Sequence, residues 1–344
     1  MKPASSTQGQ NEGHPVFDET RCVHDQAASA SCQACSDACP TGALALGEYA
    51  LEFNADACDG CAFCVAACPQ EAIDSKFGRA DVASLRKQTT AFLACEQSGV
   101  PGDRQSMPCV HALSWRNALR LHRDGIRKIA VAVGDCDKCR PRSARLGQTV
   151  KHVNEVLSSR SLPGLEVSYL TGGQWEAAAR EKRCEPEILP RRRAFLRRFV
   201  DPGHVARETG KPATIASLLG APEPAGSVFP AVPSIDADRC DGCDACVRVC
   251  ATSAITFVNQ EGGLHYRVDA ARCTGCKLCS DVCQPDAVSV RQWTASPQQA
   301  VELASQRCRA CGVVYHAPRA RVEDLCTICA KTNHHRNLFQ IDPA

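Results

Sequence analysis

The sequence has few aromatic side chains and little net charge. Phe, Trp and Tyr make up 5% of its 344 residues, and methionine occurs only twice. We therefore do not expect cores built from large aromatic rings. The formal net charge is +2 at pH 7, which creates no field that would draw the whole chain to nucleic acid or to an anionic membrane.

Long apolar runs and secretion signals are also missing. No stretch approaches the roughly 18 apolar residues that a membrane-spanning helix needs. Residues 1–19, MKPASSTQGQNEGHPVFDE, have no basic start, no apolar core and no cleavage site, so the sequence predicts no secretory signal. We therefore expect a cytoplasmic protein, in a reducing compartment and without a membrane span.

Motifs of catalysis are absent too. Neither the fingerprint G-x-G-x-x-G nor a P-loop occurs in the sequence, so flavin, nicotinamide and ATP chemistry have no support. No general acid, activated nucleophile or open metal position stands out from the sequence. We therefore expect no catalytic residues and assign any substrate chemistry to a partner.

Cysteine, by contrast, is abundant, with 25 residues in the chain. In a secreted protein such a count predicts disulfide bonds. In a reducing compartment clustered cysteines indicate metal sites, and this is the interpretation we favour. Metal clusters would then replace part of the missing aromatic core and would couple folding to cofactor insertion.

One run of cysteines has a distinctive spacing. Residues 58–69, CDGCAFCVAACP, follow the pattern C-x2-C-x2-C-x3-C-P, which wraps [4Fe–4S] clusters in bacterial ferredoxins. The cysteines are Cys58, Cys61, Cys64 and Cys68. Iron in a sulfide cluster is a soft site that prefers thiolates, and the alternatives of zinc or disulfides fit this spacing poorly. We expect the fourth cysteine to start a helix, with Pro69 in its first turn.

Three more runs follow this pattern with departures, since Ala251 replaces the proline in the third run and Pro285 comes one residue late in the fourth. The other runs are Cys22, Cys32, Cys35 and Cys39; Cys240, Cys243, Cys246 and Cys250; and Cys273, Cys276, Cys279 and Cys283. In the first of them, the gap between the first two cysteines is expanded. Segments 41–56 and 255–268 alternate in polarity and contain turn glycines, so each predicts a β-hairpin between two runs. The runs therefore group into two modules, over residues 15–80 and 236–295.

These two modules resemble the bacterial dicluster ferredoxin family. The resemblance implies a ferredoxin-like fold with crossed ligation, in which the fourth cysteine of each run binds the cluster of the other run. The implied ligand sets are Cys22, Cys32, Cys35 and Cys68; Cys39, Cys58, Cys61 and Cys64; Cys240, Cys243, Cys246 and Cys283; and Cys250, Cys273, Cys276 and Cys279. The expanded gap separates Cys22 from its run, and His24 is an alternative ligand, although we favour a surface role for this histidine.

Residues 83–180 have a different pattern, in which short apolar runs alternate with helical periodicity. The runs are TAFLAC (90–95), KIAVAVGDC (128–136) and LEVSYL (165–170). Apolar residues at helical intervals also predict a helix from Leu146 to Leu157. This alternation predicts a small parallel α/β domain, whose ligand groups would gather at the carboxyl ends of the strands. The cysteines near that edge are Cys95, Cys109, Cys136 and Cys139.

This domain resembles the iron–sulfur (delta) subunit of methyl-viologen-reducing hydrogenases in its strand-end Cys95, in Cys109 and in the segment VGDCDKC. The resemblance implies that the four cysteines hold a fifth iron–sulfur cluster, for which [2Fe–2S] is one form. It also implies electron transfer towards heterodisulfide-reductase-type partners. Two alternatives stay open. Cys95 and Cys109 would be buried core thiols, or Cys136 and Cys139 would form a thioredoxin-like dithiol.

Two segments carry no module pattern. We expect residues 1–14 to be disordered and residues 181–235 to form a linker, first basic and then rich in proline and glycine. We expect its basic run, RRRAFLRR (191–198), to be a solvated basic helix. A docking surface for an acidic partner, which its concentrated positive charge would suit, and a twin-arginine export signal are the alternatives. Cys184 fits no ligand set, and we expect it to be a bystander.

The tail, residues 296–344, contains two C-x2-C pairs. They are Cys308 with Cys311 and Cys326 with Cys329. Two such pairs suit tetrahedral metal, so the tail predicts a zinc-ribbon-like site, with mononuclear iron or another cluster as the alternative. The segment CRACGVVY resembles the first knuckle of rubredoxin, which implies iron. Because four cysteines close the site, we do not expect His316, His334 or His335 to be ligands.

Together these patterns predict a multidomain α+β protein. Its parts would be two ferredoxin-like dicluster modules, a small parallel α/β domain between them and a zinc-ribbon-like tail. We expect an electron-transfer subunit of a cytoplasmic oxidoreductase, such as a formate dehydrogenase, hydrogenase or heterodisulfide-reductase-like complex. Its partner would be a catalytic subunit or a redox protein. A free multi-cluster carrier, or a maturation or redox-sensing factor that delivers electrons or clusters to an apo-enzyme, are the alternatives.

Overall fold

The computed structural model describes most of the chain, as two compact units. The described residues are 13–47, 51–75, 89–100, 106–139, 145–183, 211–220, 224–260, 263–296, 300–321 and 323–332. One unit comprises Met1–Cys22 and Gln33–Pro212, and the other comprises Val23–Cys32 and Ala213–Ala344. Several features named above lie outside the described residues, namely residues 1–12, the basic run 191–198, Cys184, His334 and His335.

Short strands and short helices alternate along the chain. The strands are β1 (Val16–Phe17), β2 (Leu44–Leu46), β3 (Leu51–Phe53), β4 (Ile73–Asp74), β5 (Thr90–Cys95), β6 (Ser106–Met107), β7 (Lys128–Ala132), β8 (Glu166–Leu170), β9 (Val228–Ile235), β10 (Ile255–Gln260), β11 (Gly263–Val268), β12 (Val288–Ala295), β13 (Ala300–Arg307) and β14 (Val314–Pro318). The α-helices are α1 (Val23–Gln26), α2 (Ala34–Ala38), α3 (Phe63–Ala67), α4 (Trp115–Arg123), α5 (Leu146–Ser158), α6 (Gly172–Arg183), α7 (Ile215–Leu219), α8 (Ala245–Arg248), α9 (Leu278–Asp281) and α10 (Thr327–Thr332). The mixture confirms the α+β class. None of the helices in the described part of the chain is long and apolar enough to cross a membrane.

In the first unit, the N-terminal part consists of two small antiparallel ribbons and two short helices. β2 pairs with β3, as the hairpin predicted over residues 41–56 requires, and β1 pairs with β4. Helices α2 and α3 each contain the third cysteine of a run, Cys35 and Cys64. Leu44 and Ile73 are buried in the same core as Cys64, so apolar side chains from the ribbons enclose the cysteines.

The fourth cysteine of each of these two runs ends a helix, whereas the sequence predicted that it starts one. Cys39 and Cys68 are the C-terminal caps of α2 and α3, with extended backbone conformations. Each of them precedes a proline, and the proline ring disfavours the α-conformation in the residue before it. Pro69 therefore terminates the helix that carries Cys64 instead of beginning a new one.

The rest of the first unit is a parallel sheet flanked by helices. Its strand order is β6-β5-β7-β8, and every neighbouring pair is parallel. Ser114 caps α4 by accepting the Asn117 N–H. Trp175 of α6 packs edge-to-face on Phe92, and its Nε1–H donates to the Ala130 carbonyl at 3.2 Å. This packing holds the helix on the sheet whose strands end near Cys95 and Cys136.

The ribbon part and the sheet part of the first unit share a core. Ala112, in the 3-10 turn Val110–Ala112, is buried with Phe63 of α3. Arg116 of α4 is only 2% exposed, and its Nη2 donates to the Pro69 carbonyl at 2.9 Å. A buried guanidinium needs such a partner, because an unpaired buried charge is costly. The first ferredoxin-like module is therefore packed on α4 and on the 3-10 turn that precedes it, which belong to the parallel domain.

The second unit contains a two-stranded ribbon and a four-stranded sheet. β9 pairs with β12, and the sheet has the order β10-β11-β13-β14, with every pair antiparallel. The strands β10 and β11 confirm the hairpin predicted over residues 255–268. The segment Val23–Cys32 also belongs to this unit, since Ser31 donates from its N–H and its hydroxyl to the Asp281 carboxylate at 2.9 and 2.7 Å.

The structure differs from the predicted boundaries of this unit at both ends. Residues 181–235 were predicted to be a linker, but they contain α7 and β9. Thr214 begins α7 with a capping box to Ser217, and β9 pairs along its length with β12. The prolines of β9 obscured its strand pattern, and they are tolerated because each strand of a two-stranded ribbon has a free edge. At the other end, β13 pairs with β11, so the tail continues the ferredoxin sheet.

Candidate iron–sulfur and metal centres

Four cysteines of the first unit line one small cavity. They are Cys39, Cys58, Cys61 and Cys64. Three come from the run at residues 58–69, and Cys39 is the fourth cysteine of the preceding run. The set is therefore the combination that crossed ligation expects. Leu44 and Phe53 also line the cavity, so the sulfur atoms face an apolar wall.

Two thiols of this set, those of Cys58 and Cys64, ionise less readily than a free cysteine. Burial, and next the neighbouring Cys61 sulfur, raises the pKa of Cys64 to about 12. Burial also raises the pKa of Cys58, although the Gly60 N–H opposes the shift. Iron binds the deprotonated thiolate and supplies positive charge that offsets the cost of ionising these buried thiols. The donor set therefore fits an iron–sulfur cluster.

A second group of cysteines forms next to the first. Cys22 and Cys35 pack against the core that contains Cys68. Burial is the main cause that raises the pKa of Cys68, and Cys22 contributes to the same rise, so these two sulfur atoms lie close to each other. Cys35 in turn contributes to the raised pKa of Cys64. The two groups of the first module are therefore neighbours.

The segment Val23–Cys32 contains His24, the predicted alternative to Cys22 as a ligand. The Nε2 atom of His24 lies 2.8 Å from the Cys32 carbonyl oxygen, so this ring nitrogen is engaged with the backbone. The contribution of Cys22 to the raised pKa of Cys68, not this contact, favours Cys22 as the ligand near Cys68. Cys32 belongs to the second unit, and its membership of the Cys22 set stays a prediction.

The second unit contains two further groups with crossed membership. Burial, and next the charges of Cys240, Cys243 and Cys283, raises the pKa of Cys246 to about 12. Burial, and next Cys273, Cys276, Cys250 and Cys246, raises the pKa of Cys279. Each group joins the first three cysteines of one run to the fourth of the other. Because Cys246 also acts on Cys279, the two groups lie side by side.

Backbone N–H groups point at the fourth cysteine of three runs. The donor–acceptor pairs are Ala72 N–H to Cys68 Sγ at 3.3 Å, Ala254 N–H to Cys250 Sγ at 3.1 Å and Ala287 N–H to Cys283 Sγ at 3.1 Å. In every pair the donor is four residues after the cysteine. Hydrogen bonds to the sulfur ligands tune the reduction potential of an iron–sulfur cluster, so these donors fit redox-active centres.

The loops that carry the second and third cysteines have left-handed backbone. Gly242 and Asp244 flank Cys243 with φ values of 73° and 62°, and Gly275 and Lys277 have φ values of 81° and 63° at the matching positions. Left-handed residues of this kind build the concave nests of N–H groups that bind anions and many iron–sulfur centres. The local backbone therefore fits a cluster whose thiolates and sulfides are negatively charged.

The four cysteines of the parallel domain also come together. Cys95 is the last residue of β5, and Cys136 follows β7. Burial, and next Cys139, Cys95 and Cys109, raises the pKa of Cys136. The Gly134 N–H donates to Cys95 Sγ at 3.3 Å. The carboxyl edge of the sheet thus gathers the four thiols, as the strand pattern predicted.

A buried histidine that the sequence reasoning missed lies beside this group. His111 Nε2 is 3.7 Å from Cys136 Sγ, and its Nδ1 is 3.4 Å from the backbone nitrogen of Leu146. Burial lowers the pKa of His111, which favours the neutral ring. The one sequence signal that could have found it is its position two residues after Cys109.

The tail cysteines form a tighter group than any of these. The Sγ atoms of Cys308, Cys311, Cys326 and Cys329 all lie within 4.8 Å of one another. Cys311 Sγ and Cys326 Sγ are 3.9 Å apart, close to the roughly 3.8 Å between sulfurs that tetrahedral zinc with 2.3 Å bonds would give. Among the described residues, no other three cysteine, histidine or acidic side chains are so close together. This spacing fits a single metal ion and is too small for an iron–sulfur cube.

His316 of the tail strand β14 contacts a loop that carries candidate cluster ligands. Its Nε2 lies 2.9 Å from Oδ1 of Asp244, the residue after Cys243. Tyr266 donates its hydroxyl to the same oxygen at 2.6 Å, and the Phe257 ring stacks on His316 at 4.8 Å. These contacts hold His316 against the loop that carries Cys243.

Further contacts join the metal-binding end of the tail to the same loop. Thr327 of α10 donates its hydroxyl to the Asp241 carbonyl at 3.3 Å, and the Lys331 ammonium lies 3.5 Å from the Asp241 carboxylate. Arg321 Nη1 donates to the Arg239 carbonyl at 2.8 Å. The tail is therefore packed on residues 239–244, which include Cys240 and Cys243.

Comparison with known proteins identifies the cysteine-rich modules. The family model of the 4Fe-4S dicluster domain matches residues 233–290, and that of the 4Fe-4S binding domain matches residues 51–74. The chain contains two ferredoxin-type iron–sulfur regions. These matches confirm the prediction of an iron–sulfur electron-transfer protein with ferredoxin modules. They cover neither the parallel domain nor the tail, so the hydrogenase-delta and zinc-ribbon resemblances stay predictions.

One curated relative shares part of this signal. It is a subunit of the ion-translocating oxidoreductase complex of Methanosarcina acetivorans, and it is 42% identical over 43 residues. The alignment covers 12% of this chain and 16% of the relative. A match of this length supports a shared cluster-binding segment, and it leaves most of both proteins uncompared.

Proposed function

We propose that this chain relays single electrons along four [4Fe–4S] clusters as part of an oxidoreductase complex. The observation that carries the proposal is the crossed grouping of cysteines, which the cavity lined by Cys39, Cys58, Cys61 and Cys64 and the pKa neighbours support. The proposed ligand sets are Cys22, Cys32, Cys35 and Cys68; Cys39, Cys58, Cys61 and Cys64; Cys240, Cys243, Cys246 and Cys283; and Cys250, Cys273, Cys276 and Cys279. No residue of the chain is given a catalytic role.

The residues around each set have three tasks in electron transfer. Thiolates fix where a cluster sits, and buried apolar residues such as Leu44 and Ile255 keep water from it. Backbone donors such as the Ala254 and Ala287 N–H groups stabilise the sulfur ligands and so set the potential. A bound [4Fe–4S] cluster supplies one-electron redox chemistry, and the chain has only to hold and insulate it.

Adjacent sets make a relay possible within each module. Cys35 is close enough to Cys64 to raise its pKa, and Cys246 is close enough to Cys279 to raise its pKa. In each pair the two cysteines belong to different sets. An electron can therefore pass from one set to the next inside the protein interior. This adjacency distinguishes a two-centre relay from isolated structural sites.

Two further centres complete the proposal. Cys95, Cys109, Cys136 and Cys139 would hold a fifth iron–sulfur cluster at the edge of the parallel sheet. Cys308, Cys311, Cys326 and Cys329 would hold one zinc ion, or mononuclear iron, with a structural role. The mutual spacing of the tail sulfurs supports a single ion there, and the contacts of the tail with residues 239–244 support a structural task.

The partner would be a catalytic subunit or redox protein that carries the substrate chemistry. The relative in Methanosarcina acetivorans is named as a subunit of an oxidoreductase complex, which supports the same kind of assembly here. We propose a cytoplasmic complex of the formate dehydrogenase, hydrogenase or heterodisulfide-reductase type. The basic run 191–198 would suit an acidic surface on that partner.

An anaerobic affinity purification from the native cell tests this proposal. Subunits would be identified, and iron, sulfide and zinc counted, in the same sample. The proposal expects a catalytic subunit near one-to-one stoichiometry and about 16 or more irons per chain. If the chain comes alone but fully loaded, it is a free carrier. If it comes with an unloaded enzyme and its own iron is easily lost, it is a maturation factor instead.

A further inference from the structure

His111 lies between a cysteine group and a helix, and each of its ring nitrogens has a different neighbour. The residue is 7% exposed and sits in the 3-10 turn that follows Cys109. Its Nδ1 lies 3.4 Å from the backbone nitrogen of Leu146, and its Nε2 lies 3.7 Å from Cys136 Sγ. A buried imidazole in two such contacts is fixed in position and orientation.

The helix contact determines which nitrogen carries the proton. Leu146 is the first residue of α5, and the N–H groups of a first helical turn have no acceptor within the helix. A backbone N–H can only donate, so Nδ1 must be the unprotonated acceptor. The proton of the neutral ring is then on Nε2, and it faces the sulfur of Cys136.

We propose that His111 is a positioning residue for the iron–sulfur centre at Cys95, Cys109, Cys136 and Cys139. It donates Nε2–H to Cys136 Sγ and makes this centre easier to reduce. The inference rests on the proposed function in one respect, that Cys136 binds the fifth cluster. Reduction adds one electron, which increases the negative charge on the sulfur ligands, and a hydrogen bond to sulfur stabilises that charge. No proton has to move in this step.

The position of Cys136 explains why a side-chain donor matters here. Cys136 is exposed, whereas Cys95 is buried and receives the Gly134 N–H at 3.3 Å. Backbone donors of that kind cannot be removed without changing the fold. The Nε2–H of His111 comes from the buried side of the group, and a substitution can remove it while the backbone stays in place.

Two substitutions test the donor against a purely structural role. In His111→Leu the donor is lost, and the reduction potential of the fifth centre should become more negative. In His111→Gln the side-chain amide can still donate towards Cys136, so the potential should lie between those of the wild type and the leucine variant. The four [4Fe–4S] potentials should stay unchanged in both variants. Electron paramagnetic resonance during a redox titration of the full chain measures all of these values.

A second readout distinguishes a hydrogen bond from direct ligation by His111. It also gives a result if the His111→Leu variant does not bind the fifth cluster. Resonance Raman spectra of the oxidised wild type and His111→Gln should differ in the Fe–S stretches of the fifth centre. Pulsed electron paramagnetic resonance of the reduced wild type should find no nitrogen bound directly to its iron. A directly bound nitrogen would overturn the inference, and so would unchanged potentials and spectra in every variant that holds the cluster.

One control keeps this test distinct from that of the proposed function. Cys136→Ser should abolish or alter the spectrum of the fifth centre and leave the other four in place. If the wild type and Cys136→Ser contain the same iron and the same spectra, no cluster exists at this edge, and both the fifth centre and the role of His111 are wrong. If Cys136→Ser changes the spectrum but the His111 variants do not, only the inference fails.

Discussion

Gly242→Ala should damage one cluster site much more than the same change in its sister loop. Gly242 has a φ of 73°, and a Cβ built there would lie 2.3 Å from the backbone oxygen of His316. Gly275 has the matching place in the next loop, with a φ of 81°, but its added Cβ would lie 3.1 Å from the Cβ of Ala231. The two glycines therefore form a matched pair.

The structure gives the size of the difference. Left-handed backbone costs an L-residue about 1–2 kcal/mol, and both variants carry this cost. Only Gly242→Ala adds a clash with backbone, and overpacking of this kind costs about 1–3 kcal/mol more. We therefore expect about 2–5 kcal/mol for Gly242→Ala, and for Gly275→Ala a cost near the roughly 1–2 kcal/mol of strain alone.

Loss of iron to a strong chelator under anaerobic conditions measures this difference. Gly242→Ala should release about four irons per chain, those of one [4Fe–4S] cluster, well before the rest. It should also loosen the tail metal, because β14 must move to accept the new methyl group. Gly275→Ala should release its iron more slowly. Equal release rates in the two variants would refute the packing of the tail on the loop at residues 239–244.

Three further predictions concern single residues of the chain. Arg116→Gln removes a buried positive charge that lowers the pKa of Cys68, so the cluster at Cys68 should become harder to reduce. A redox titration checks this, with Arg120→Gln as the control, because Arg120 is less buried and is paired with Glu71. Burial lowers the pKa of His122 in the folded chain. Below about pH 6.5 the unfolded chain therefore binds a proton at this histidine more readily than the folded chain does. The free energy of unfolding then falls as the pH falls, by at most about 1.4 kcal/mol per pH unit for this residue. Thermal unfolding between about pH 7.5 and about pH 5.5 should show a slope of this sign. His122→Gln should reduce it, and the remainder includes the contribution of buried His111; an unchanged slope would contradict the assignment. Cys184→Ser should leave the iron, sulfide and zinc contents unaltered, and a loss of any of them would show that this residue is a ligand.

Local patterns of the sequence predicted the cluster modules well. The spacing of Cys58, Cys61 and Cys64 is a property of one tight loop, so the sequence alone could show it. The hairpin at residues 255–268 is equally local, because its strands are joined by a short turn. The crossed role of Cys39 needed the resemblance to ferredoxins, since spacing alone does not say which loop the fourth sulfur faces.

Contacts between distant parts of the chain were beyond the sequence patterns. The strand β9 contains two prolines, so its sequence predicts a linker, and only its pairing with β12 shows the strand. The pairing of β13 with β11 joins the tail to the ferredoxin sheet, although a run of four cysteines and the strand β12 separate the two strands in the sequence. His111 lies 25 residues from Cys136, and no motif links them. Each of these features depends on tertiary packing, which periodicity does not describe.

The most direct test of the account is a reductive titration of the full chain, purified without oxygen and followed by electron paramagnetic resonance and metal analysis. Four [4Fe–4S] clusters predict about 16 irons in cubane form and four separate one-electron reductions. The fifth centre would add its own iron and one further electron, and the tail would add one metal ion that does not change with reduction. A chain whose metal sites are filled with zinc alone, or a chain that takes up no electrons, would contradict the proposed electron relay.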